Sequence, residues 1–477
     1  MNRTHALDRA RAFAADSLFT LLSDWVSLDT GSRADDRKPS LTAYLEEKII
    51  PWLASRAFET RIVENPEDPC APFLIARRVE DKALPTVLVY GHGDTVPGMD
   101  DAWTKGGGPF ALTRDGDRWY GRGAADNKGQ HAVNLAAMDC VLQERGTLGF
   151  NLTLLLEMGE EMGSPGLHAV CAAEKTALAA DVLIASDGPR IEPGTPTIFG
   201  GSRAVFNFDL KLTLREGGHH SGNWGGLLAN PGIILSHAIS SLVDQKGKIL
   251  VDALRPKDLP RSIAAAIDKL SVTGQGGPEI DPSWGEPGLS AARKVYGWNT
   301  LDVLAFECGT PASPVNAIPP AAWARCHIRF LADMDPATFI PAIRAHLDDH
   351  GFSEVEVIEV PNNYGLATRM APDNPWVSFV TASFDTTLDL LAKGPEKKQV
   401  SFLPNLGGTL PNDAFSHVLG LPTIWVPHSY AGCCQHAPNE HVLPAILEEG
   451  LALMTGLFWD IGETGGPEPD KETSKKG

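Results

Sequence analysis

Short apolar runs alternate along this chain with stretches whose apolar residues recur at helical spacing. The runs at residues 86–90, 151–157, 181–186 and 422–426 are nearly continuous in apolar residues, as is typical of strands buried on both faces of a sheet. Helical spacing is clearest in the segment that follows Lys128. The pattern predicts an α/β fold in which helices cover a mixed, mostly parallel sheet.

The pattern changes character between residues 202 and 364. Alternating polar and apolar positions at 204–214 predict a half-exposed strand, and the segment 324–360 predicts a strand, a helix and a second strand. We therefore expect a small α+β domain inserted into the first domain. Within this insert, residues 244–314 are rich in Pro, Gly and charged residues and are expected to form a long irregular excursion.

These changes divide the chain into a larger domain in two parts, 1–201 and 365–462, the insert at 202–364, and a tail at 463–477. The tail is expected to be disordered because it has no large apolar side chain to anchor it. A second domain is also expected from length alone, because 477 residues exceed what one hydrophobic core usually supports.

The charge balance narrows the class of partner. Acidic residues outnumber basic ones by 60 to 41, which gives a formal net charge of −19 and disfavours nucleic-acid binding. A small-molecule partner fits better. The first residues carry charges throughout, and nowhere is there an apolar run long enough to span a bilayer, so we expect a cytoplasmic protein without membrane contact.

The seven cysteines are odd in number and show no repeated spacing, so we expect them to be reduced. The chain also lacks a CxxC pattern. Any bound metal must therefore be held by histidine and carboxylate side chains.

Polar clusters follow several of the predicted strands. GHGDTVP supplies His92 and Asp94, MGEEMGS supplies Glu160 and Glu161, and SDG supplies Asp187. Ligands of open α/β sheets bind outside the carboxyl ends of the strands, so these clusters are expected to converge there. Imidazole and carboxylate groups gathered in one place are suited to holding metal ions.

Five motifs in a fixed order resemble the signature of the M20 family of di-zinc metallopeptidases. They are GHGDTVP, GRGAADNKG, LLEMGEEMGSPG, SDG and QHAPNE, and the resemblance extends from roughly Ser17 to Leu457, nearly the whole chain. The resemblance implies that His92 and Asp187 hold one zinc ion, that Glu161 and His436 hold the other, and that Asp126 bridges both.

The resemblance also implies the chemistry. An amide bond of a dipeptide or small peptide-like substrate would be hydrolysed by a water that bridges two divalent cations, with Glu160 as general base. Asp94 would orient His92 by accepting a hydrogen bond from its imidazole. Zinc is the first expectation for both cations, and manganese or cobalt are alternatives because carboxylate-rich sites tolerate several metals.

Within the insert, GGHHSGNWGG resembles the lid segment of the carnosine-dipeptidase branch of this family. The resemblance implies that the insert is a lid and dimerisation domain, that the protein is a homodimer, and that His220 reaches into the partner's site to stabilise the oxyanion. His219 is the alternative for this role. The other histidines, His131, His168 and His428 among them, are expected to be solvated or packing residues.

The same branch suggests a set of substrate contacts. They are Asn316, Arg329, Gly408 and Thr409. Arg329 suits a substrate carboxylate because guanidinium offers a planar fork of donors. The chain departs from the branch at Asn405 and Leu406, where Arg and Glu are usual, and this puts the usual substrate pocket in doubt.

Three functions compete. A dipeptidase is favoured by the carnosine-dipeptidase-like lid and by Asp at position 187. An N-acyl or N-carbamoyl amino-acid amidohydrolase would share all of the metal chemistry, and only a comparison of substrates separates the two. A non-catalytic binding homologue is disfavoured by Glu160, since a protein that only binds has no use for a general base.

Overall fold

A computed structural model of the chain describes residues 2–33, 36–274, 277–360, 365–392 and 397–468. Its α-helices are α1 (Arg3–Asp16), α2 (Leu18–Val26), α3 (Lys38–Ala43), α4 (Ile50–Ala54), α5 (Lys128–Arg145), α6 (Leu167–Ala173), α7 (Ser221–Trp224), α8 (Pro231–Leu242), α9 (Arg261–Ile267), α10 (Ala291–Tyr296), α11 (Phe339–Asp349), α12 (Pro375–Leu391) and α13 (Pro444–Thr464). Its strands are β1 (Glu59–Val63), β2 (Phe73–Arg78), β3 (Thr86–His92), β4 (Thr113–Asp115), β5 (Arg118–Tyr120), β6 (Asn151–Glu157), β7 (Val182–Ala185), β8 (Pro189–Arg190), β9 (Thr197–Phe199), β10 (Ala204–Thr213), β11 (His219–His220), β12 (Thr300–Cys308), β13 (Ala317–Ile318), β14 (Ala321–Phe330), β15 (Glu356–Glu359), β16 (Ser401–Leu403), β17 (Thr423–Trp425), β18 (Ser429–Tyr430) and β19 (His441–Val442).

An eight-stranded sheet in the order β1-β2-β6-β3-β7-β17-β9-β16 forms the centre of the larger domain. Its middle strands β6, β3, β7 and β17 run parallel to their neighbours in this group, and antiparallel pairs lie at β1–β2, β2–β6 and β17–β9. Every residue of β6 and of β7 is buried, which explains the continuous apolar runs in the sequence. The predicted mixed, mostly parallel sheet is confirmed.

Helices cover both faces of this sheet. On one face α1, α5 and α13 pack together, and all residues of α5 from Lys128 to Val141 are buried. The other face is covered by α6, α9 and α10, whose apolar side chains join those of β3 and β7. Burial on both faces fixes the strands in place and leaves their carboxyl ends to carry polar side chains.

The insert is a four-stranded antiparallel sheet in the order β12-β14-β10-β15, with α8 and α11 packed on one face. Side chains of β14 alternate strictly between buried and partly exposed positions, as the alternating sequence predicts. The α+β insert is thus the lid predicted for this chain.

The stretch 244–314 is more regular than predicted. It contains α9, α10 and the nine-residue edge strand β12, which pairs with β14 along most of its length. The prediction was wrong there because β12 exposes five consecutive residues, 303–307, and so lacks the alternation that marks a half-buried strand.

Two predicted boundaries fall at the edge of what is described. The end of the insert, at residues 361–364, lies outside the described residues, and so does most of the tail, 469–477. The last helix, α13, continues to Thr464, so residues 463 and 464 are helical rather than part of the tail.

The described part of the chain forms no disulfide, as predicted, and all seven cysteines are free thiols. None of its helices combines the length and the apolar character needed to cross a bilayer. The cytoplasmic location stays a prediction.

Candidate metal centre and substrate cleft

The carboxyl ends of three neighbouring parallel strands carry most of the predicted site. His92 is the last residue of β3 and lies opposite Glu157, the last residue of β6. A single 3-10 turn, Glu160–Met162, follows β6, and Asp187 follows β7 by two residues. The sheet order β6-β3-β7 therefore brings these side chains to one edge although they are far apart in sequence.

One group of ligand atoms surrounds His92. Its Nε2 lies 3.0 Å from Asp126 Oδ1, 3.6 Å from Asp187 Oδ2 and 3.8 Å from Glu160 Oε2. The ligand atoms of His92, Asp126 and Asp187 lie within 4.8 Å of one another, and all three residues are buried. Three nitrogen and oxygen donors at this spacing can hold one divalent cation.

A second group shares Asp126. His436 Nε2 lies 3.2 Å from Asp126 Oδ2 and 3.0 Å from Glu161 Oε2, and these three ligand atoms also lie within 4.8 Å of one another. The two oxygens of Asp126 thus face different histidines. This is the arrangement needed for one carboxylate to bridge two cations, and it brings together all five residues that the sequence resemblance implied as ligands.

The donor set fits divalent cations for a second reason. Asp187 Oδ2 is buried and has no hydrogen-bond partner among the described residues, which is costly for a carboxylate unless a cation neutralises it. Burial raises the pKa of Asp187 to about 7 and that of Glu161 to about 7, and the negative charge of Asp126 adds to both shifts. Burial also raises the pKa of Glu160 well above its usual value. The crowded carboxyl groups therefore call for positive charge in their midst.

The pKa values of the two histidines are also raised, but by hydrogen bonds to carboxylates rather than by burial. Burial acts to lower the pKa of His92, but hydrogen bonds to Asp126 and Asp94 outweigh it and raise the pKa well above its usual value. Hydrogen bonds to Asp126 and Glu161 raise the pKa of His436 to about 11. Nitrogen to oxygen distances near 3 Å identify these imidazoles as the groups that face the shared carboxylate.

Asp94 supports the site through the backbone as well as through His92. Its Oδ1 lies 3.3 Å from His92 Nδ1, which also lies 3.1 Å from the backbone oxygen of Asp94. The Oδ1 and Oδ2 atoms of Asp94 also accept the backbone N–H groups of Glu160 and Glu161, each at 3.1 Å. One buried carboxylate therefore ties His92 to the turn that carries Glu160 and Glu161.

Glu160 and Glu161 point in different directions, as adjacent residues in a 3-10 turn can. The Glu161 side chain is 3% exposed and faces His436, whereas the Glu160 side chain is 18% exposed and lies on the His92 side. Only Glu161 belongs to a ligand group, and both residues line the adjoining cleft. Glu160 is thus left available for reaction with a bound molecule.

Two supports of Asp126 were not predicted from the sequence. Glu440 is fully buried, and its Oε1 accepts the backbone N–H groups of Ala125 and Asp126, while its Oε2 accepts a hydrogen bond from Arg122. Gln435 donates from Nε2 to Asp126 Oδ2 at 3.2 Å. Both residues lie in the QHAPNE motif, and the acidic residue that ends this motif directly before β19 was the available signal.

A cleft of about 260 Å³ opens from this centre toward the lid. Glu160, Glu161 and His436 line it from the metal side, and Arg329 and Thr409 line it from the other side. Arg329 lies on β14 of the lid, and its Nη1 donates to Thr409 Oγ1 at 2.5 Å across the domain boundary. Gly408, the other predicted contact on this loop, is exposed and is not among the described residues that line the cleft.

His220 and Asn316 lie together on the lid. Both are exposed, β11 pairs with β13 next to Asn316, and Ser221 donates from its backbone N and its Oγ to the Asn316 carbonyl. His220 Nδ1 accepts the backbone N–H of Gly222. Within the described part of one chain neither residue lines the cleft.

Comparisons with known proteins agree with this arrangement. Residues 88–460 match the profile of Peptidase family M20/M25/M40. Beta-Ala-His dipeptidase of Rattus norvegicus is 32% identical over 411 residues, which make up 83% of this chain and 81% of that protein. Cysteinylglycine-S-conjugate dipeptidase of Corynebacterium striatum is 28% identical over 306 residues, which make up 61% of this chain and 64% of that protein. The structure of the di-peptidase Dug1p from Saccharomyces cerevisiae has the same fold, with a TM-score of 0.78, 20% identity and coverage of 97% of this chain and 99% of that chain.

Proposed function

The chain belongs to peptidase family M20/M25/M40, as its motifs predict, and from that premise we propose that it hydrolyses the amide bond of a dipeptide or small peptide-like substrate at a two-cation centre. The observation that carries this proposal is the pair of ligand groups that share Asp126 at the end of a small cleft. Two relatives that align with this chain are named as dipeptidases, which supports the choice of substrate class.

His92 and Asp187 would hold one cation, Glu161 and His436 the other, and Asp126 both. Zinc is the first expectation for the metal because the donors are imidazole and carboxylate, and manganese or cobalt would fit the same donors. Bound there, the cations supply positive charge that polarises the substrate carbonyl and makes water more acidic. Glu440 and Asp94 keep two ligands in place, because they accept the backbone N–H groups of Asp126 and Glu161.

Glu160 would carry the proton transfers. Its carboxylate accepts a proton from the attacking water while the water oxygen forms a bond to the carbonyl carbon. Glu160 then donates that proton to the amide nitrogen as the carbon–nitrogen bond breaks, so a carboxylic acid and an amine leave the cleft. Its partly exposed position at the cleft, outside both ligand groups, supports this role.

The cleft would bind the leaving residue by its carboxylate. Arg329 presents a guanidinium fork suited to a carboxylate, and the hydroxyl of Thr409 orients this fork by accepting a hydrogen bond from Nη1. A volume of about 260 Å³ is just under the range of about 300–1,000 Å³ that drug-sized ligands occupy, which favours a substrate of dipeptide size. We place Gly408 beside this carboxylate on the ground of the family resemblance alone.

Exposed apolar residues on an edge strand of the lid support a homodimer. This strand, β12, exposes Val303, Leu304 and Phe306, and Val315 on the neighbouring loop is 76% exposed. An apolar edge strand with unpaired backbone groups is normally covered in a folded protein. Pairing of two lids along this edge would cover it and would place His220 and Asn316 of the partner subunit near the cleft, where His220 can donate to the developing oxyanion.

Replacement of Phe306 by aspartate is expected to convert the dimer into a monomer and to lower kcat by about 10²–10³-fold, because the partner's oxyanion donor is lost. Light scattering coupled to gel filtration measures the first effect, and steady-state kinetics the second. Leu390→Asp is the matched control, since Leu390 is equally exposed, at 46% against 43% for Phe306, but lies on α12 of the larger domain. A Phe306→Asp protein that remains dimeric would contradict the proposed interface.

The proposed function is tested by turnover of dipeptides compared with N-acetyl and N-carbamoyl amino acids that carry the same C-terminal residue. We expect the dipeptides to be hydrolysed, the activity to disappear after exhaustive chelation, and zinc, manganese or cobalt to restore it. Activity that survives chelation would contradict the two-cation centre.

One observation favours the acylated substrates as a second candidate. The Leu406 side chain lies against Gly188, the residue that directly follows Asp187. A Cβ atom at Gly188 would be only 2.9 Å from Leu406 Cδ2. An apolar side chain there offers no acceptor for the free amino group of a dipeptide. Hydrolysis of the acylated amino acids alone would select an amidohydrolase.

A further inference from the structure

A second cavity, of about 690 Å³, lies between the larger domain and the lid, and no step assigned above uses it. Its walls include Ile191 and Leu406 of the larger domain and Val295 and Trp298 of the lid. It shares none of its described lining residues with the cleft of about 260 Å³ that holds Arg329. The described residues thus enclose two separate spaces at this boundary, and the unassigned one is the larger.

One wall of this cavity is built from the segments that carry two of the metal ligands. Asp187 is followed, after one glycine, by β8 (Pro189–Arg190), and both residues of β8 line the cavity. The strand β8 pairs with β18, and Ala431, which directly follows β18 on the segment that leads to His436, lines the cavity as well. The cavity therefore begins beside the Asp187 end of the metal centre.

The cleft and the cavity approach the metal centre from different sides. Glu161 and His436 line the cleft, whereas Asp187 is not among the described residues that line it. The two substituents of an amide carbonyl carbon point away from each other. A substrate whose carbonyl lies on both cations and whose leaving residue occupies the cleft therefore directs its acyl part toward Asp187 and the cavity.

Leu406 lies between the metal centre and the cavity. Its side chain packs against Gly188, the neighbour of Asp187, and it also lines the cavity. The backbone of Leu406 is fixed on both sides, because its N–H donates to the Gly201 carbonyl at 2.7 Å and its carbonyl accepts the N–H of Arg203 at 3.0 Å. A fixed apolar side chain thus marks the path from the cations into the cavity.

Apolar and aromatic side chains form most of the cavity surface. They include Ile191, Val272, Val295, Tyr296, Trp298 and Leu406. The charged side chains that also line the cavity each have an ion-pair or hydrogen-bond partner within the protein, and they are Arg190, Arg203, Asp281, Glu286, Lys294 and Asp302. Burial of apolar surface is therefore the main stabilisation that the cavity offers to a ligand.

We propose that this cavity binds the acyl side of the substrate and selects a large apolar group there, such as the aromatic side chain of an N-terminal residue. The inference rests on the proposed function, because it names the substrate class of the same metal centre. A volume of about 690 Å³ lies within the range of about 300–1,000 Å³ that is usual for ligand pockets, so the cavity can take an aromatic ring. Glu160 and the cations remain responsible for the chemical step.

The test varies the acyl side of the substrate alone. Gly-Ala, Leu-Ala and Phe-Ala share a leaving residue and differ only in the N-terminal side chain. We expect kcat/KM to rise along this series, by about 10-fold to 100-fold from Gly-Ala to Phe-Ala, because a side chain of this size is moved from water into an apolar cavity. Equal values of kcat/KM for the three dipeptides would overturn the inference.

A variant that fills the cavity separates this site from others. Val295→Trp narrows the cavity from its lid wall and is expected to remove most of the preference for Phe-Ala over Gly-Ala. Val418→Trp is the matched control, because both valines are partly buried and pack against the same apolar core, but Val418 lines neither the cleft nor the cavity. We expect Val418→Trp to keep the wild-type preference. A preference that survives Val295→Trp undiminished would contradict binding in this cavity.

Binding of two carboxylic acids tests the cavity without turnover. The metal-loaded protein is titrated with 4-phenylbutanoate and with butanoate, which offer the same carboxylate to the cations and differ in the phenyl ring. We expect the wild type to bind 4-phenylbutanoate about 10-fold or more tightly than butanoate, and Val295→Trp to lose this difference. Equal binding by the wild type would overturn the inference. Failure of the proposed function would instead appear as no turnover of any dipeptide while the difference in binding is retained.

Discussion

Replacement of Glu160 by glutamine is expected to lower kcat by about 10²–10⁴-fold while the protein keeps its full metal content. Glutamine preserves the size of the side chain but can neither accept a proton from water nor return it to the leaving nitrogen. Metal content should not fall, because Glu160 lies outside both ligand groups. Steady-state kinetics and metal analysis of the same dialysed sample measure the two quantities together.

Glu157→Gln is the matched control for this experiment. Glu157 is a buried carboxyl group at the end of β6, held by Tyr90 and Ser164 through hydrogen bonds of 2.5 and 3.0 Å, and it does not line the cleft. Burial raises its pKa to about 7, so the neutral amide is a mild replacement. We expect kcat near that of wild type. If Glu160→Gln lost its metals, or kept its kcat, Glu160 would not be the general base.

Mixed dimers give the second large effect. Glu160→Gln and His220→Ala homodimers should each be nearly inactive, whereas a heterodimer purified with two different tags should regain about half of the wild-type activity. In that heterodimer the subunit with intact Glu160 receives His220 from its partner, so one of the two sites is complete. The measurement is kcat per dimer for the three purified species.

The lid histidine can be identified in the same series. His219→Ala is measured alongside His220→Ala, because His219 lies beside His220 on β11 and is the alternative for the catalytic role. Full activity in His219→Ala together with loss in His220→Ala assigns the role to His220. A heterodimer without activity would mean that the lid histidine serves its own chain or no site at all.

Much of the fold follows from apolar patterning that burial enforces. The runs that became β3, β6 and β7 are continuous because helices cover both faces of the sheet. His92 ends β3, and acidic residues follow β6 and β7 within four residues, at the edge where the parallel strands bring these ends together. His92, Glu161 and Asp187 could therefore be named from the strand pattern, whereas Asp126 and His436 could be named only from the family resemblance.

The features that escaped prediction depend on contacts that leave little trace in the sequence. The strand β12 was missed because five consecutive residues of it, 303–307, are exposed. Its sequence therefore lacks the alternation of polar and apolar residues that marks a half-buried strand. Glu440 acts through backbone N–H groups, which every residue has. His168 and Asp413 line the cleft as a hydrogen-bonded pair, although they are 245 positions apart and each alone is an ordinary polar residue. Only the folded chain brings such pairs together.

The most direct test of the two-cation centre is X-ray diffraction from crystals grown with zinc, recorded on both sides of the zinc absorption edge. We expect two anomalous peaks per subunit, one between His92 and Asp187 and one between Glu161 and His436, with Asp126 in contact with both. A single peak, or zinc bound elsewhere while these five side chains stay uncoordinated, would contradict the account.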